Sequence, residues 1–452
     1  MHNSKMQWFK AIIFILILLI INQFLIFSLC PKGNYSRSTI LEMYSEKENI
    51  DIAFAGSSYS VKGINPYIID QELEKNTFCY GFNGQTYLCT YYSLKELFKY
   101  HKPKTIILNT DLESYIREKE DIMACIPNYL YINHSMDKMK FYLDSSKQDQ
   151  SYLNRLFLWP EYHVKSLKDI PKNIKEKLDL QYMNYPTEEQ LESYKKTKYG
   201  YIGKGFVNVD PNDPKNVLND NKLGKMEIKS TDLSKIKESN VEYFKKIVDL
   251  CKENDSELIL VHFPLPTYRI FNENNYFKFD EEIYSIAKEN GIEYYNYNLT
   301  KPELFKSKTE YFQDYAHLNA NGAEVFSKSF AEFLKLRSSG ENMSKYFYTP
   351  EEYFDTINYI NNTWFTWKMD KDKDKIDIKA DSFYGNNIKP EYQFILIDSK
   401  TGKKEVIRDY DTNPNFTLKK PKLSTYKIRV NAREVGKNVE YSRYYEEEFG
   451  KK

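Results

Sequence analysis

Charge of either sign is nearly absent on balance in this 452-residue chain: 65 Lys and Arg stand against 64 Asp and Glu, for a net charge of +1. That balance lacks the basic footprint with which proteins hold phosphate backbones, so nucleic acid is excluded as a partner. Cysteine is scarce as well. The five copies (Cys30, Cys79, Cys89, Cys125, Cys251) contain no C-x-x-C pair and no Cys/His cluster. No metal and no cofactor are therefore expected. An odd count argues for scattered thiols rather than a disulfide framework, with Cys79 and Cys89 as the only close pair. Long apolar runs are missing too, except for one at the N-terminus. With 41% hydrophobic and 29% charged residues, the bulk fits neither a disordered tail nor a multi-span membrane protein. The length allows about three units of roughly 150 residues each. What the chain has in excess is tyrosine, 40 in all. Such amphipathic rings suit surfaces that touch sugars, although biased codon usage would give the same count.

The single apolar run, Ala11 to Leu29, carries no charge over 19 residues, enough to cross a hydrocarbon core of about 30 Å at about 1.5 Å per residue. It exceeds the apolar core of an ordinary signal peptide, no A-x-A site follows, and Phe27-Ser28-Leu29 lacks the small residues expected before a lipidated Cys30. The expectation is an uncleaved anchor over residues 1–30, then a short stalk over 31–49. Lys5 and Lys10 flank one side while Lys32, Arg37 and Lys47 follow the other, so charge does not fix the orientation.

Beyond the stalk, apolar runs alternate with helical periods. Ile50–Ala55 is a buried strand ending in Gly56-Ser57-Ser58, and Thr77–Phe82 is a second ending in Asn83-Gly84. Leu88, Tyr91, Leu94 and Phe98 follow at helical spacing, and Thr105–Leu108 is a third strand. A helix over Asp232 to about Glu253 precedes the strand Glu257–Phe263. A helix over Glu281–Asn290, closed by Gly291, precedes the strand Ile292–Tyr297. Asn321 with Glu324 forms a capping box for a last helix carrying Phe326, Phe330, Phe333 and Leu334. Five strands alternating with helices predict an α/β domain over 50–340, a doubly wound five-stranded parallel sheet. The alternation lapses over 113–230, a Tyr- and Lys-rich insertion with turn signals such as Asp210-Pro211-Asn212-Asp213-Pro214. It leaves the third strand, where loops of such sheets build ligand sites, and reads either as a lid or acceptor-binding wall or as a structural elaboration.

From Asn362 the period changes to short alternating runs: Thr363–Met369, Lys375–Ala380, Glu391–Ile397, a turn over Asp398–Gly402, and Thr425–Val430. These predict a C-terminal β-sandwich over 345–452. It resembles the Tyr-rich immunoglobulin-like modules of extracytoplasmic bacterial proteins. From Asn362 on there is no His and no Cys, which leaves nucleophilic and metal chemistry little to use there.

Two short motifs carry the chemistry. A Ser after Gly56 stands at the carboxyl end of a parallel strand, where open sheets bind ligands, although small turn residues there need no function. Asp314-Tyr315-Ala316-His317 places a carboxylate three residues before an imidazole. It can hold the ring while the other nitrogen faces a hydroxyl, and a helix-initiating loop with an Asp cap is the bland alternative. His262 beside its Pro-rich turn, and Arg269 as an anion binder, are read as structural.

Taken together, Ala53-Phe54-Ala55-Gly56-Ser57-Ser58, Asn83-Gly84-Gln85 and Asp314-Tyr315-Ala316-His317-Leu318-Asn319 resemble the SGNH/GDSL hydrolase superfamily over about Ile50 to Leu336. The resemblance implies a flavodoxin-like sheet, with Ser58 as nucleophile and Asp314 and His317 as its D-x-x-H pair. It also implies an oxyanion hole from the N–H groups of Ser58 and Gly84, with Asn109 as a third donor. Ser57 replaces the usual Asp of the first block, and Leu108-Asn109-Thr110-Asp111 departs from the usual Gly-x-Asn-Asp of the third. With one N-terminal anchor, these substitutions are similar to members that esterify surface polymers: the alginate acetylation proteins and the D-alanine-transfer protein of lipoteichoic acid synthesis. That likeness implies a globular part outside the cytoplasmic membrane. It implies an acyl group received from a membrane-bound O-acyltransferase partner and passed to a polysaccharide or teichoic acid. An esterase removing such groups, and a catalytically silent glycan-binding or assembly protein, are the competing expectations.

Overall fold

The computed structural model describes residues 2–31, 35–117, 122–147, 152–162, 164–213, 229–230, 235–370, 375–419 and 426–448. Pro214, Asp232 and Thr425, each part of an element expected from the sequence, lie outside the described residues.

A five-stranded parallel sheet organises the first three quarters of the chain. Its strands are β1 (Ile52–Gly56), β2 (Thr77–Gly81), β3 (Thr105–Asn109), β4 (Glu257–His262) and β5 (Glu293–Asn296), in the order β2-β1-β3-β4-β5. The register pairs Ile52 with both Thr77 and Thr105, and Thr105 with Glu257. Successive side chains of a strand face opposite ways, and both faces here are apolar. Ala53, Ala55, Ile106, Leu108 and Leu260 pack on one side beneath the helices Tyr87–Tyr100, Glu238–Glu253 and Tyr276–Glu289. Phe54, Ile107, Ile259 and Val261 pack on the other beneath the helix Ala320–Ser338. All five expected strands are present, displaced by a residue or two at their ends.

That last helix docks through an aromatic cluster: Phe330 meets Phe54, Phe263, Tyr297, Phe326 and Phe333 at centroid distances from 5.3 to 6.4 Å. Its cap is Asn319, whose Oδ1 accepts the Gly322 N–H at 3.1 Å. Asn321, expected as the cap, lies inside the helix. An Asn two residues upstream with an N–H in reach fills the same chemical role.

The N-terminal helix His2–Leu29 contains a stretch, Met6–Leu29, long and apolar enough to cross a membrane. The segment after it is no free stalk. Tyr35–Ser45 is a helix whose Thr39, Ile40, Glu42 and Met43 are buried. The Met43 carbonyl lies 2.8 Å from His101 Nε2, and Tyr44 Oη donates to Glu96 at 2.7 Å. The described residues of the insertion are mostly helical, and its hairpin Gly200–Gly203 and Phe206–Asn208, a sheet of its own, abuts the edge strand β2, where the Cys79 N–H donates to the Lys204 carbonyl at 2.9 Å.

Cys79 and Cys89 are not brought together. Cys79 faces the Ser327 side of the sheet, with Sγ near the Ser60 and Ile64 carbonyls, whereas Cys89 belongs to the opposite core and its Sγ lies 2.8 Å from Cys125 Sγ. All five cysteines are buried.

The C-terminal part forms two antiparallel sheets. One comprises β6 (Ile360–Asp370), β7 (Lys375–Tyr384) and β10 (Asn415–Lys419). The other comprises β8 (Pro390–Asp398), β9 (Lys404–Asp411), β11 (Tyr426–Glu434) and β12 (Arg443–Glu448). Phe365, Ile376 and Ile378 from the first share one apolar cluster with Phe394, Ile428 and Val430 from the second.

Phe330 is fully buried at the centre of its cluster. Replacing it with Ala should cost about 3–5 kcal/mol, the usual toll of a buried Phe-to-Ala cavity. Denaturant unfolding of the detergent-solubilised chain checks this, and a loss under about 1 kcal/mol would mean the helix is held by something other than that cluster.

Candidate active site

Gly56 ends β1 with φ 110°, a left-handed conformation, and a Cβ there would stand 3.0 Å from the Asn109 carbonyl. Only glycine tolerates both constraints. The chain then turns into the short helix Ser58–Gly63, so Ser58 sits at the carboxyl edge of the sheet, where the strand order reverses between β1 and β3. Crevices at that position are where ligands bind in open α/β sheets.

His317 reaches Ser58 from the far end of the sequence. Its Nε2 is 2.7 Å from Ser58 Oγ, and its Nδ1 is 2.9 and 3.1 Å from the two carboxylate oxygens of Asp314. With the Nδ1 proton donated to Asp314, Nε2 carries the lone pair and accepts from the Ser58 hydroxyl. Asp314 also shapes the loop, since its Oδ1 accepts the backbone N–H groups of Ala316 and His317, each at 2.8 Å. The Gln313 side chain donates to Oδ2 at 3.1 Å. Burial alone would raise the Asp314 carboxyl; the His317 ring, by hydrogen bond and by charge, and those two N–H groups outweigh it and hold the group at about 2.

The loop is fixed from both ends. Phe312 and Leu318 form an antiparallel bridge, and Asn319 Nδ2 donates to the Glu310 carbonyl at 2.8 Å. The three residues expected to act together, Ser58, Asp314 and His317, therefore lie in one hydrogen-bonded line.

Gly84 occupies the turn after β2 at φ 68°, and its carbonyl accepts from Arg117 Nη1 at 3.2 Å. The ends of β1 and β2 are in close contact: the Phe82 N–H donates to the Gly56 carbonyl at 3.1 Å. Asn109, the third donor expected, is engaged elsewhere in this structure: its Nδ2 donates to Ser57 Oγ and Asp111 Oδ2, each at 3.3 Å.

Asp111 was not singled out by the sequence. It is buried, and burial followed by the charge of Glu113 pushes its carboxyl above the usual range. It accepts from Ser57 Oγ at 3.1 Å and from the Ser114 N–H at 2.9 Å. A buried carboxyl from the segment after β3 is thus brought to Ser57, the residue before Ser58. Tyr59 was missed as well; its ring centroid lies 5.5 Å from that of His317. Arg269 stands nearby, with Nη1 3.2 Å from the Tyr315 carbonyl and 3.4 Å from Tyr59 Oη.

His262 stays apart from this line. Its Nδ1 is 3.4 Å from Tyr276 Oη, within a buried set that includes Asn296 and Asp280. Burial, then the charge of Arg269, pushes its imidazole down to about 3. Among the described residues no group of three or more His, Cys, Asp or Glu is placed to hold a metal ion.

No family model matches the chain, and no curated protein matches it. Among solved structures, an engineered protein aligns over 93% of this chain and 97% of its own at 8% identity, with a TM-score of 0.16, too low to carry an argument.

The depressed Asp314 carboxyl has a consequence for acid stability. Its folded-state value near 2 lies below its ordinary value of 3.8, so the stability it contributes is complete above about pH 4 and is lost as pH falls toward 2. Asp314→Asn should therefore be less stable than the native chain at pH 5, with the gap closing by pH 2. Unfolding midpoints across that range test this; a gap independent of pH would deny the ion-pair account.

Proposed function

We propose that the chain is a membrane-anchored serine O-acyltransferase that passes an acyl group, through an acyl-serine, to a cell-envelope or exopolysaccharide outside the cytoplasmic membrane. The observation that carries this reading is the continuous Ser58–His317–Asp314 line at 2.7 and 2.9 Å. His317 Nε2 takes the Ser58 proton as Oγ attacks the acyl carbonyl, and Asp314 stabilises the imidazolium. The proton then passes to the departing donor oxygen, leaving the acyl group on Ser58. An acceptor hydroxyl gives its proton to His317, attacks the acyl-serine, and releases Ser58 with its proton restored.

The developing oxyanion needs fixed donors. Ser58 N–H is the first of its helix and has no partner within it, and Gly84 in the adjoining turn supplies the second. The hydrogen-bonded line supports catalysis over a silent binding protein, because an assembly role has no use for an oriented imidazole on a serine. The acyl donor on this reading is a membrane-bound O-acyltransferase, and the likeness to polymer-esterifying proteins supports it. Water as acceptor gives the esterase reading, which draws support from the partial exposure of the His317 and Asp314 side chains.

Ser58→Ala and His317→Ala should each lower turnover of an activated acyl ester by on the order of a thousandfold or more, because a triad acts as a unit. Ser57→Ala retains most of the activity. Native turnover in the Ser58 variant alongside an inactive Ser57 variant would reassign the nucleophile.

Acceptor choice is tested by following the acyl-enzyme. Oligosaccharide held beside the acyl carbonyl gains effective molarities of about 10⁵ M or more, so added glycan should speed loss of the acyl group and itself become acylated. Deacylation indifferent to every glycan would turn the assignment to the esterase.

A further inference from the structure

Exposed Leu and Met side chains are distributed unevenly. Outside the N-terminal helix, all nine that the described residues expose lie between Met136 and Met183. Six of them, Leu153, Leu156, Leu167, Leu178, Leu180 and Met183, belong to the stretch from Tyr152 to Met183. Leaving that many large aliphatic groups in water is unusual for a folded surface, and a local concentration of them marks a contact face.

This same stretch clasps the end of the apolar N-terminal helix. Asn22 Nδ2 donates to the Leu156 carbonyl at 3.1 Å. Asn173 Nδ2 donates to the Ser28 and Leu29 carbonyls at 3.1 and 3.3 Å. Lys177 Nζ donates to those of Phe27 and Cys30 at 2.6 and 2.5 Å. Two residues thereby satisfy the carbonyls that a helix leaves unpaired in its last turn, and the cation among them suits the negative end of the helix dipole. Exposure along the helix changes at the same place. Residues 6–21 are open, whereas Asn22, Ser28 and Cys30 are covered.

From Asn22 to Leu29 the helix climbs about 10 Å at about 1.5 Å per residue. Phe24 to Phe27, within that rise, are still apolar. A helix that buries its whole apolar length in lipid carries the clasping segment down with it by the same distance. Leu156 would then stand at the depth of Asn22, where an unsatisfied amide is costly and the Leu156 carbonyl gives it a partner. The charge fits as well. Val164–Lys177 holds five Lys against one Asp and one Glu, and Lys168, Lys172 and Lys175 are exposed. Basic residues interleaved with exposed aliphatic groups are what an anionic lipid interface attracts.

We propose that residues 152–162 and 164–183 form a membrane-interface collar: they lie in the headgroup and outer acyl region of a bilayer bearing anionic lipid, around the emerging end of the N-terminal helix. The proposal rests on the anchor reading of that helix, and the collar holds the domain in a set orientation to the lipid surface rather than letting it swing.

Spin labels at Leu153→Cys and Leu180→Cys, one at a time in the full chain, test this in vesicles of phosphatidylglycerol and phosphatidylcholine. The native thiols are all buried, so the unsubstituted chain sets the labelling background. Ile15→Cys reports on the anchor, and Tyr444→Cys reports an exposed site on the C-terminal sheets. Collisions with oxygen and with a water-soluble nickel chelate separate lipid from water. The expected result is that Leu153, Leu180 and Ile15 favour oxygen several-fold over the chelate while Tyr444 shows the reverse. Lipid at Ile15 with water at both Leu153 and Leu180 overturns the collar and leaves that face to another protein. Water at Ile15 overturns the anchor and the collar with it. Removing phosphatidylglycerol should move the Leu153 and Leu180 labels toward water, and an unchanged reading would deny the lysines their part.

Discussion

A hydrogen bond between side chains 259 residues apart, Ser58 and His317, sets the demands on the α/β domain. It forms only if the end of the first strand and the start of the last helix meet. A parallel sheet satisfies half of this, because every strand delivers its carboxyl end to one edge. The other half falls to the helix Ala320–Ser338, whose aromatic face fixes where its N-terminal loop stands. Phe326 and Phe330 do not touch His317, yet they fix the helix from which its loop departs. On the catalytic reading proposed above, a displacement of about 1 Å passed to the imidazole would be enough to cost about a hundredfold.

Beside Ser58 lies a small polar set that the apolar core has to tolerate. Asp111, Asn109 and Ser57 are all buried, and a buried carboxyl costs several kcal/mol unless hydrogen-bonded. Asp111 has those partners in Ser57 Oγ and the Ser114 N–H. The arrangement ties Ser57, which precedes Ser58, to the segment that follows β3, so the ends of two neighbouring strands meet at one buried polar contact.

The five strands and the Ser, Asp and His were legible because each leaves a local mark: an apolar run of five or six residues, a glycine turn, a carboxylate three residues before an imidazole. What was not legible depends on contacts remote in sequence. The stalk read as a linker because Tyr35–Ser45 is short and polar, yet Glu42 is buried only because the Lys204 N–H and Tyr185 hydroxyl, more than 140 residues later, bind its carboxylate. Cys89 was matched with the nearest cysteine in sequence, whereas the two sides of a sheet decide which thiols meet. In the insertion, the helices Met136–Lys147 and Ile170–Lys177 bury Phe141, Ser145 and Ser146, and Asn173 and Lys177, where a core-facing stripe would carry Leu and Val, so no strong apolar period announced them. Three strands of the C-terminal sheets, β9, β10 and β12, were passed over for a related reason: their exposed, charged faces dilute the period-two pattern.

The docked stalk also bears on where substrate must come from. Tyr35 Oη accepts the Asn83 N–H at 2.9 Å, so the turn that holds Gly84 is tied to a residue six positions past the end of the N-terminal helix at Leu29. A chain of that length spans at most roughly 20 Å even when fully extended. If that helix is the anchor, Tyr35, which holds the turn containing Gly84, therefore sits within about two nanometres of the point where the chain leaves the lipid. On the acyltransferase reading proposed above, a short connection suits a reaction with one partner at the membrane surface better than a long flexible linker would. On that same reading Ser58 is held at a set height, and an acceptor would have to come to it there.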